Sequence, residues 1–489
     1  MKLAHDVPDV RSFYSLADGE LGDAKCQGTA CFVARHLAPE RWHDAQQQSP
    51  PVYCLGKCYA APATAEDEAR PHVEVHSRQA IVLERIAEGG AHNLDEYERH
   101  GGLNGLRKAL AAGPARTLDE VETSELRGRG GAAFPAARKW RTAATQPAIE
   151  KHIVANFDEG DPGAYLDRII VEEDPFALIE SMTIAAFAVG AGRGWIYARC
   201  EYPAAIARLR QAIDEARAAG MLGQHVLGSR FAFDIELVVG RGSYVCGEET
   251  SLLASIEGRR PVVRARPPFT AESGLWHAPT VVNNVETLAN VPWILRHGAT
   301  EYAALGIPGS RGTKVLSLNS LFQRPGLYEV DFGTTLREIV DNIGGGLAQG
   351  TLKGLWIGGP LAGVVPPALL DTPLGFTELR AIGASVGHGG VIAFDEQTSI
   401  RELVHHVFEF GRDESCGMCT PCRLGTARVA ELFAANKAGR HDADQSRQEY
   451  DDIIAALKHA SLCGLGTGLA EFAESILRYY GEELRTCFT

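Results

Sequence analysis

The chain contains 489 residues, more than a single hydrophobic core usually supports, so several domains are expected. Its 45% hydrophobic and 22% charged residues are typical of a globular protein, and without an apolar run of about 18 residues no membrane insertion is expected. An excess of 62 acidic over 48 basic residues argues against a nucleic-acid partner. The opening stretch "MKLAHDVPDVRSFYSL" lacks the basic and apolar segments of a secretion signal, which predicts a cytoplasmic protein.

The eleven cysteines are the most informative part of the composition. In a reducing compartment they are poor candidates for a disulfide framework, so metal or redox chemistry is the better expectation. Four of them lie within the first 60 residues and four form a C-terminal group. The other three stand alone: Cys200, Cys246 and Cys487.

Residues 1–90 are expected to form a small α/β module. The stretch "RPHVEVHS" alternates like a strand, and "RQAIVLERIAEGG" has the pattern of a helix that ends at glycine. Two cysteine pairs precede them: Cys26 with Cys31 in a C-x4-C pattern, and Cys54 with Cys58 in a C-x3-C pattern. By spacing alone these four residues could hold a [2Fe-2S] cluster, a zinc ion or no metal.

Residues 91–305 show the alternation of strands and helices that is expected of βαβ units. Strands are predicted at "HIVANF", "GWIYARC" and "FDIELVVG". Helices are predicted at "DPFALIESMTIAAFAVGAG", with Asp174 as its cap and Pro175 at its first position, and at "PAAIARLRQAIDEARAAG".

A glycine-rich loop, "LRGRGGAAFPAARKW", contains Gly128, Gly130 and Gly131 and precedes a predicted helix that bears Arg138 and Lys139. Backbone N–H groups at a helix start, with positive charge nearby, can bind a phosphate. The loop is not a dinucleotide-binding fingerprint, because the preceding "TLDEVETSEL" is helix-like and a strand is required there. An ordinary glycine turn is the alternative.

Three polar loops follow predicted strands or begin predicted helices. The stretch "NFDEGDPGAYLDR" would present its polar residues at the carboxyl end of a strand, where open α/β sheets bind ligands. "YVCGEETSLL" and "TVVNNVETLANVPWIL" would present theirs near helix starts, where solvated turns and simple helix caps are the alternatives. The candidate residues are Asn156, Asp158, Glu159 and Asp161, then Gly247, Glu248 and Glu249, then Asn283, Asn284 and Thr287.

The remaining chain changes character twice. Residues 306–395 contain short predicted strands, "TKVLSLN", "GLYEVDF", "GLWIGG" and "GVIAFD", around a single helix, "TTLREIVDNIGGG". Residues 396–489 contain three amphipathic segments, "SIRELVHHVFEFG", "SRQEYDDIIAALKHA" and "GLAEFAESILRYYGEEL", which predict a helical bundle.

The C-terminal cysteines Cys416, Cys419 and Cys422 form C-x2-C-x2-C, and forty residues separate the last of them from Cys463. A compact triplet with one distant thiolate is a common ligand set for a [4Fe-4S] cluster. Zinc is the alternative, although its thiolates usually come as two separated pairs.

Five motifs in one order, "GRGGAAFP", "NFDEGDPG", "YVCGEETSLL", "PTVVNNVETL" and "ESCGMCTPC…SLCGLG", make the chain from about residue 95 onward resemble a known family. It is similar to the NADH-binding flavoprotein subunit of respiratory complex I and to the diaphorase subunits of NAD-dependent formate dehydrogenases and hydrogenases. Residues 1–90 separately resemble the thioredoxin-like [2Fe-2S] subunit of those complexes, through "CQGTACFV" and "CLGKCYAAP".

The resemblance implies an α/β multidomain protein. Its expected parts are a thioredoxin-like ferredoxin module at 1–90, a Rossmann-like FMN- and NADH-binding domain at 91–305, a ubiquitin-like β-grasp domain at 306–395, and a helical bundle with the [4Fe-4S] cluster at 396–489. FMN would then contact Gly128, Arg129, Gly130, Gly131, Lys139, Asn156, Asp158, Glu159, Gly247, Glu248, Glu249, Asn283, Asn284 and Thr287. The nicotinamide nucleotide would lie by Phe134 and Phe269, with Asp161, Tyr244 and Arg266 nearby.

The resemblance also implies a function. A flavin between NAD(H) and a cubane converts two-electron hydride transfer into single electrons, and this needs no side-chain acid or base, so no catalytic residue is named. The implied partners are a molybdenum- or tungsten-type formate dehydrogenase subunit and a small [2Fe-2S] subunit; an NAD-reducing hydrogenase and complex I are the alternative complexes. A zinc-stabilised scaffold without redox activity and a free-standing NADH oxidoreductase are the alternatives.

Three positions depart from the family pattern. Ala133 stands where glycine is usual, Asp161 where glutamate is usual, and Arg266 where lysine is common. Ala133 fits the pattern only if its backbone does not need a positive φ. These departures bear on nucleotide affinity more than on the chemistry.

Overall fold

The computed structural model of the chain describes Tyr14, Leu16 and residues 21–434 and 443–488. In the first ninety residues the described regular elements are short. They comprise helices α1 and α2, strand β1, and 3₁₀ turns at Arg35–Leu37, Cys58–Ala60 and Ile86–Glu88. Helix α1 spans Thr29–Val33, α2 spans Pro39–Gln46, and β1 spans His72–Val75.

The central region contains a parallel four-stranded sheet in the order β4-β3-β2-β5. Strand β2 is His152–Phe157, β3 Arg193–Ala198, β4 Asp234–Val239 and β5 Thr280–Asn284. Its helices are α3 (Leu94–Arg99), α4 (Asn104–Ala112), α5 (Pro114–Thr123), α6 (Ala136–Thr145), α7 (Leu166–Glu173), α8 (Pro175–Val189), α9 (Pro203–Ala218), α10 (Glu249–Ile256), α11 (Val285–Ala289), α12 (Val291–His297) and α13 (Ala299–Ala303).

A second, six-stranded mixed sheet has the order β1-β9-β8-β12-β10-β11. Besides β1, its strands are β8 (Thr313–Leu318), β9 (Gly326–Asp331), β10 (Leu352–Ile357), β11 (Val364–Val365) and β12 (Gly390–Asp395). Strands β6 (Gly306–Ile307) and β7 (Ser310–Arg311) form a separate two-stranded sheet. The predicted single helix is here a π-helical segment, Glu338–Ile343, and a second helix, α14 (Phe376–Ala381), accompanies it.

The described part of residues 1–90 pairs with a distant part of the chain, and the thioredoxin-like description of this segment stays a prediction. The one strand there, β1, pairs in parallel with β9 and so belongs to the second sheet. That pairing joins the first segment to the region predicted as residues 306–395. The boundaries at 305 and 395, and the Rossmann-like and ubiquitin-like descriptions, stay predictions.

The helix predicted at residues 78–90 is wrong, since the structure has only a 3₁₀ turn there, at Ile86–Glu88. A buried carboxylate takes the backbone N–H donors that the helix would need. Glu329 on β9 accepts hydrogen bonds from the N–H groups of Ile81, Val82 and Leu83, at 3.1, 3.1 and 2.9 Å for the nearest oxygens. Burial raises the pKa of Glu329, so these donors and the Thr313 hydroxyl offset the cost of its desolvation. Tertiary contact thus overrides an apolar helical pattern.

The C-terminal region is a helical bundle, as predicted. Helix α15 spans Ile400–Asp413, α16 Thr420–Phe433, α17 Ala443–Ala460 and α18 Gly464–Arg485. The three predicted segments fall in α15, α17 and α18, whereas α16 was not predicted. In the described parts of the chain, no helix combines the length and the apolar character needed to cross a bilayer.

Candidate functional site

A cleft of about 700 Å³ lies where the carboxyl ends of β2 and β5 face the second sheet and the bundle. It runs from the glycine-rich loop to the start of α18 and therefore touches three regions of the chain. Nine predicted site residues line it: Gly130, Gly131, Asn156, Asp158, Asp161, Tyr244, Gly247, Glu248 and Asn284. Cys463 lines its far end.

The glycine-rich loop approaches the cleft so closely that side chains would not fit. A Cβ on Gly130 would lie 2.9 Å from the Asn284 Cβ, and Gly131 has a φ of +115°. Ala133 has a φ of +52°, so its backbone adopts the left-handed conformation, for which the family pattern usually has glycine. An L-residue there costs about 1–2 kcal/mol, which this loop carries as strain.

The acidic loop after β2 leaves an unsatisfied acceptor in the cleft. The Asn156 amide donates to the Gly247 carbonyl at 2.7 Å, and its own oxygen accepts from the Asp158 N–H at 3.1 Å. Asp158 Oδ2 is buried without a hydrogen-bond partner, and burial raises the pKa of this carboxyl well above its usual range. A hydroxyl or N–H donor on a ligand would satisfy it, which fits a ribityl chain or flavin ring.

Four predicted contact residues lie behind the cleft wall and do not line the cleft. The Arg129 guanidinium is buried and donates to the Arg311 carbonyl and the Tyr302 hydroxyl. Its backbone N–H donates to the Thr287 hydroxyl at 2.8 Å. The other two are equally structural: the Asn283 oxygen accepts from the indole of Trp140, and the Glu159 carboxylate from two backbone N–H groups of α7.

A charged cluster and two exposed aromatic rings, all predicted nucleotide contacts, are not among the residues that line the cleft. Glu249 pairs with Lys139 at 3.0 Å and with Arg266 at 2.9 Å; burial opposes ionisation, but these two cations lower the pKa of the carboxyl. Phe134 is 40% and Phe269 53% exposed. Large apolar rings are seldom left this open, and rings of this kind can stack on a planar ligand.

The C-terminal cysteines gather at the starts of two helices. Cys419 is the N-cap of α16 and Cys463 the N-cap of α18, so both sulfurs lie near positive helix ends, which favour thiolates. Cys416 packs with Val245 and Cys463, and Val245 also lines the cleft. Without metal, burial raises the pKa of Cys463 to about 11 and that of Cys422 to about 12.

The N-terminal cysteines form two adjacent pairs. Cys31 lies beside Cys26, whose thiol pKa that contact lowers, and Cys58 lies beside Cys54. All four are buried, and the backbone N–H groups of Gly28, Gly56 and Ala63 each point to one sulfur at 3.4 Å. The Cys54 sulfur lies 3.9 Å from the Asp161 carbonyl oxygen, so this site adjoins the cleft loop.

Sequence reasoning missed several residues that shape the site. His388 lines the cleft from the loop before β12, and Arg199 donates to the Cys54 carbonyl at 3.2 Å. Phe410 and Tyr53 were also missed: the predicted Tyr244, which donates to Asp161, packs edge-on against Phe410, and Phe410 in turn contacts Tyr53. Only His388 carried a sequence signal, because it stands between glycines in "VGHGGV" directly before a predicted strand.

Comparisons with known proteins agree with this site. Residues 121–293 match the family model described as the Nuo51 FMN-binding domain, and residues 402–487 match the NADH-ubiquinone oxidoreductase-F iron-sulfur binding region. The HndC subunit of the NADP-reducing hydrogenase of Solidesulfovibrio fructosivorans is 43% identical over 378 residues, 76% of each chain. The F subunit of the NADH-quinone oxidoreductase of Aquifex aeolicus (strain VF5) is 38% identical over 416 residues, 85% of this chain and 96% of that one.

A solved structure extends the similarity into the first ninety residues. A chain of an NAD+-reducing [NiFe]-hydrogenase in the H2-reduced state superimposes with a TM-score of 0.81 at 28% identity. The superposition covers 98% of this chain and 87% of the hydrogenase chain.

Proposed function

Because the chain belongs to the family of NADH-oxidising flavoprotein subunits with FMN and an iron–sulfur cluster, we propose that it is the diaphorase subunit of a larger cytoplasmic complex. It would carry electrons between NAD(H) and the clusters of a partner. The observation that supports this most directly is the continuity of the cleft, which runs from Gly130 and Gly131 to Cys463. A flavin in the cleft and a cluster on that cysteine would be neighbours.

The residues present fit FMN. The glycine-rich loop offers backbone N–H groups without side chains, Asp158 offers a buried acceptor, and Asn284 closes the wall against Gly130. When bound, FMN supplies the exchange between a hydride pair and single electrons. The part of this chain would be to bind and orient both partners and to keep water and oxygen out, so no general acid or base is assigned.

For the nicotinamide nucleotide we propose the open side of the cleft. Phe134 and Phe269 are exposed rings, and the Arg266 side chain is 34% exposed and lies 3.8 Å from Glu248, which lines the cleft. Tyr244 and Asp161 close the inner end by their mutual hydrogen bond. The Asp161 carboxylate reaches less far than a glutamate would and already accepts a hydrogen bond from Tyr244, so it is less available to a ligand.

We further propose that Cys26, Cys31, Cys54 and Cys58 hold a [2Fe-2S] cluster. Such a cluster takes two cysteines on each iron, which suits the two adjacent pairs. Three backbone N–H groups directed at the sulfurs would stabilise thiolates and tune the cluster's potential. Proximity of Cys54 to the Asp161 loop would place this cluster beside the flavin.

The partner is a catalytic subunit with its own clusters, together with a small [2Fe-2S] subunit. Formate dehydrogenase of the molybdenum or tungsten type stays the prediction from sequence, while the relatives with hydrogenase names favour a hydrogenase. No contact within the described residues selects between the two. Both assign the same task to this chain.

The test is purification of the native complex with analysis of flavin and metals. The proposal expects FMN, about six iron atoms from this chain in addition to those of the partner subunits, and NADH-dependent bleaching of the flavin. A colourless chain that contains zinc would overturn the proposal. The catalytic subunit that co-purifies, and whether formate or hydrogen reduces the flavin, identifies the partner.

A further inference from the structure

His388 is held in a fixed place on the cleft wall by the residues around it. Its neighbours Gly387 and Gly389 have φ values of +51° and +97°, and a Cβ on Gly387 would lie 2.2 Å from the Gly358 Cα. The buried ammonium of Lys314 donates to the His388 carbonyl at 3.0 Å. The loop can therefore neither shift nor accept larger residues beside this histidine.

The imidazole faces three carboxylates. Nε2 lies 2.9 Å from Asp167 Oδ2 and 3.5 Å from Glu159 Oε1, and Nδ1 lies 4.0 Å from Asp161 Oδ2. The His388 side chain is only 9% exposed, and Lys314, a cation that packs against its loop, is itself paired with Glu286. Three carboxyl groups thus surround one imidazole, and a proton on the imidazole offsets part of their negative charge.

This arrangement keeps the imidazole charged at neutral pH. Burial works to lower the pKa of His388, but Asp167, Glu159 and Asp161 raise it to about 9. Burial beside Asp167 raises the pKa of Glu159 to about 8. The wall of the cleft therefore carries an imidazolium ion in surroundings where a charge acts strongly.

A metal ion does not fit these groups, although Glu159, Asp167 and His388 offer ligand atoms within 4.8 Å of one another. Asp167 already accepts from the Asn284 amide at 2.5 Å and from the Glu286 N–H at 3.1 Å. Glu159 accepts from the backbone of Asp167 and Arg168 at 3.0 Å each. With these acceptors taken, a proton on the imidazole is the simpler counter-charge.

We propose that the charge on His388 raises the reduction potential of the FMN, and that its contact with Asp167 positions Asn284 in the cleft. The inference rests on the proposed flavin site. Hydride transfer turns NADH and FMN into NAD+ and a reduced flavin with one additional negative charge. A fixed cation on the cleft wall stabilises that charge relative to the oxidised flavin, so reduced FMN is favoured.

The experiment is a spectroelectrochemical titration of FMN in the purified holoenzyme. His388→Asn removes the charge, and His388→Lys keeps one. For His388→Asn we expect at least a tenfold smaller ratio of reduced to oxidised flavin at a given potential, which is about 30 mV for two electrons. For His388→Lys we expect a ratio within about threefold of wild type. His72→Asn is the matched control, since His72 faces Glu74 at 3.1 Å on β1, outside the cleft.

The pH dependence separates charge from a merely structural role. The difference in potential between wild type and His388→Asn should hold below about pH 9 and disappear above it, because the wild-type imidazole is then neutral as well. A His388→Asn enzyme that binds FMN at an unchanged potential overturns the proposal. If the His388→Asn variant loses FMN, the FMN potential of the wild-type protein is measured against pH. A wild-type potential that does not fall more steeply above about pH 9 also overturns the proposal. Wild-type protein without any flavin would refute the proposed function itself.

Discussion

The two cysteine sites present the same thiol chemistry in opposite surroundings. At the N-terminal site all four cysteines are buried, and Cys31 and Cys54 are fully inaccessible. At the C-terminal site Cys419 and Cys463 are partly open, and the exposed apolar side chains Met418, Leu424 and Leu462 stand nearby in sequence. An electron that leaves the protein needs a site near its surface. With the proposed clusters in place, the C-terminal site would be open to exchange with a partner, whereas the N-terminal site would exchange electrons within the chain.

The largest expected effect tests the outward role of the C-terminal site. Cys419→Ala removes a cluster ligand, so NADH should still bleach FMN while electron delivery to the partner falls to background. Stopped-flow absorbance measures the first step and partner reduction the second. Cys487→Ala is the control, because the Cys487 thiol interacts with the Glu483 carbonyl and lies outside the cluster. Undiminished delivery in Cys419→Ala would contradict the role assigned to this site.

The next effect tests the enclosed site. Cys54→Ala should lower the iron content from about six to about four atoms per chain, yet leave NADH-driven reduction of the partner in place. Metal analysis and electron paramagnetic resonance measure the loss, with Cys200→Ala as the control. A Cys54→Ala protein with its [4Fe-4S] cluster intact but no delivery would place the N-terminal site on the outward path and break the comparison.

How much of this could be predicted from sequence differs between the two sites. The C-terminal ligand set follows from spacing alone, since a short loop and two helix starts suffice to gather it. The N-terminal pairs also follow, but their enclosure does not, because it comes from distant residues such as Arg199 and Asp161, which contact Cys54. Strands β2, β3 and β4 and the long helices α8, α9, α15, α17 and α18 were predicted because their apolar patterns are long and regular, whereas β5 was interpreted as a helix start. The helix at 78–90 failed because Glu329, about 250 residues away, captures its backbone donors.

A smaller effect concerns the apolar rim of the outward site. Leu424→Glu places a charge on a side chain that is 59% exposed, and should weaken binding of the partner by about tenfold, or 1–2 kcal/mol, without loss of iron. Titration of the separated partner, followed by light scattering or calorimetry, measures it. Ile149→Glu is the control, because Ile149 is fully exposed on the central domain. Equal weakening by both variants would show that overall charge, and not the rim, is responsible.

The smallest effect concerns the contact between α15 of the C-terminal bundle and α1 of the N-terminal segment, called the seam here. His406 on α15 stacks on Phe32 of α1 with ring centroids 4.4 Å apart, and burial lowers its pKa to about 3. In the unfolded chain a histidine has a pKa near 6.5, so below that pH protonation favours the unfolded state. The contribution of neutral, buried His406 to the stability of the fold is therefore fully present above about pH 6.5 and declines as the pH falls toward 3. Thermal denaturation should show a smaller acid-induced decrease for His406→Phe than for wild type. The control is His43→Asn, at an exposed histidine; an unchanged acid sensitivity in His406→Phe would contradict the role of the seam.

The pairing of β1 with β9 limits how this protein can be shortened or recombined. A truncation at residue 90 would strip β9 of its outer neighbour and leave an open sheet edge, which invites aggregation. It would also remove the three amide donors of Glu329 and strand a carboxylate in the interior. Residues 1–90 therefore cannot be removed without damage to the second sheet, because β1 completes that sheet. A chimera that exchanges this segment between relatives would have to include β9.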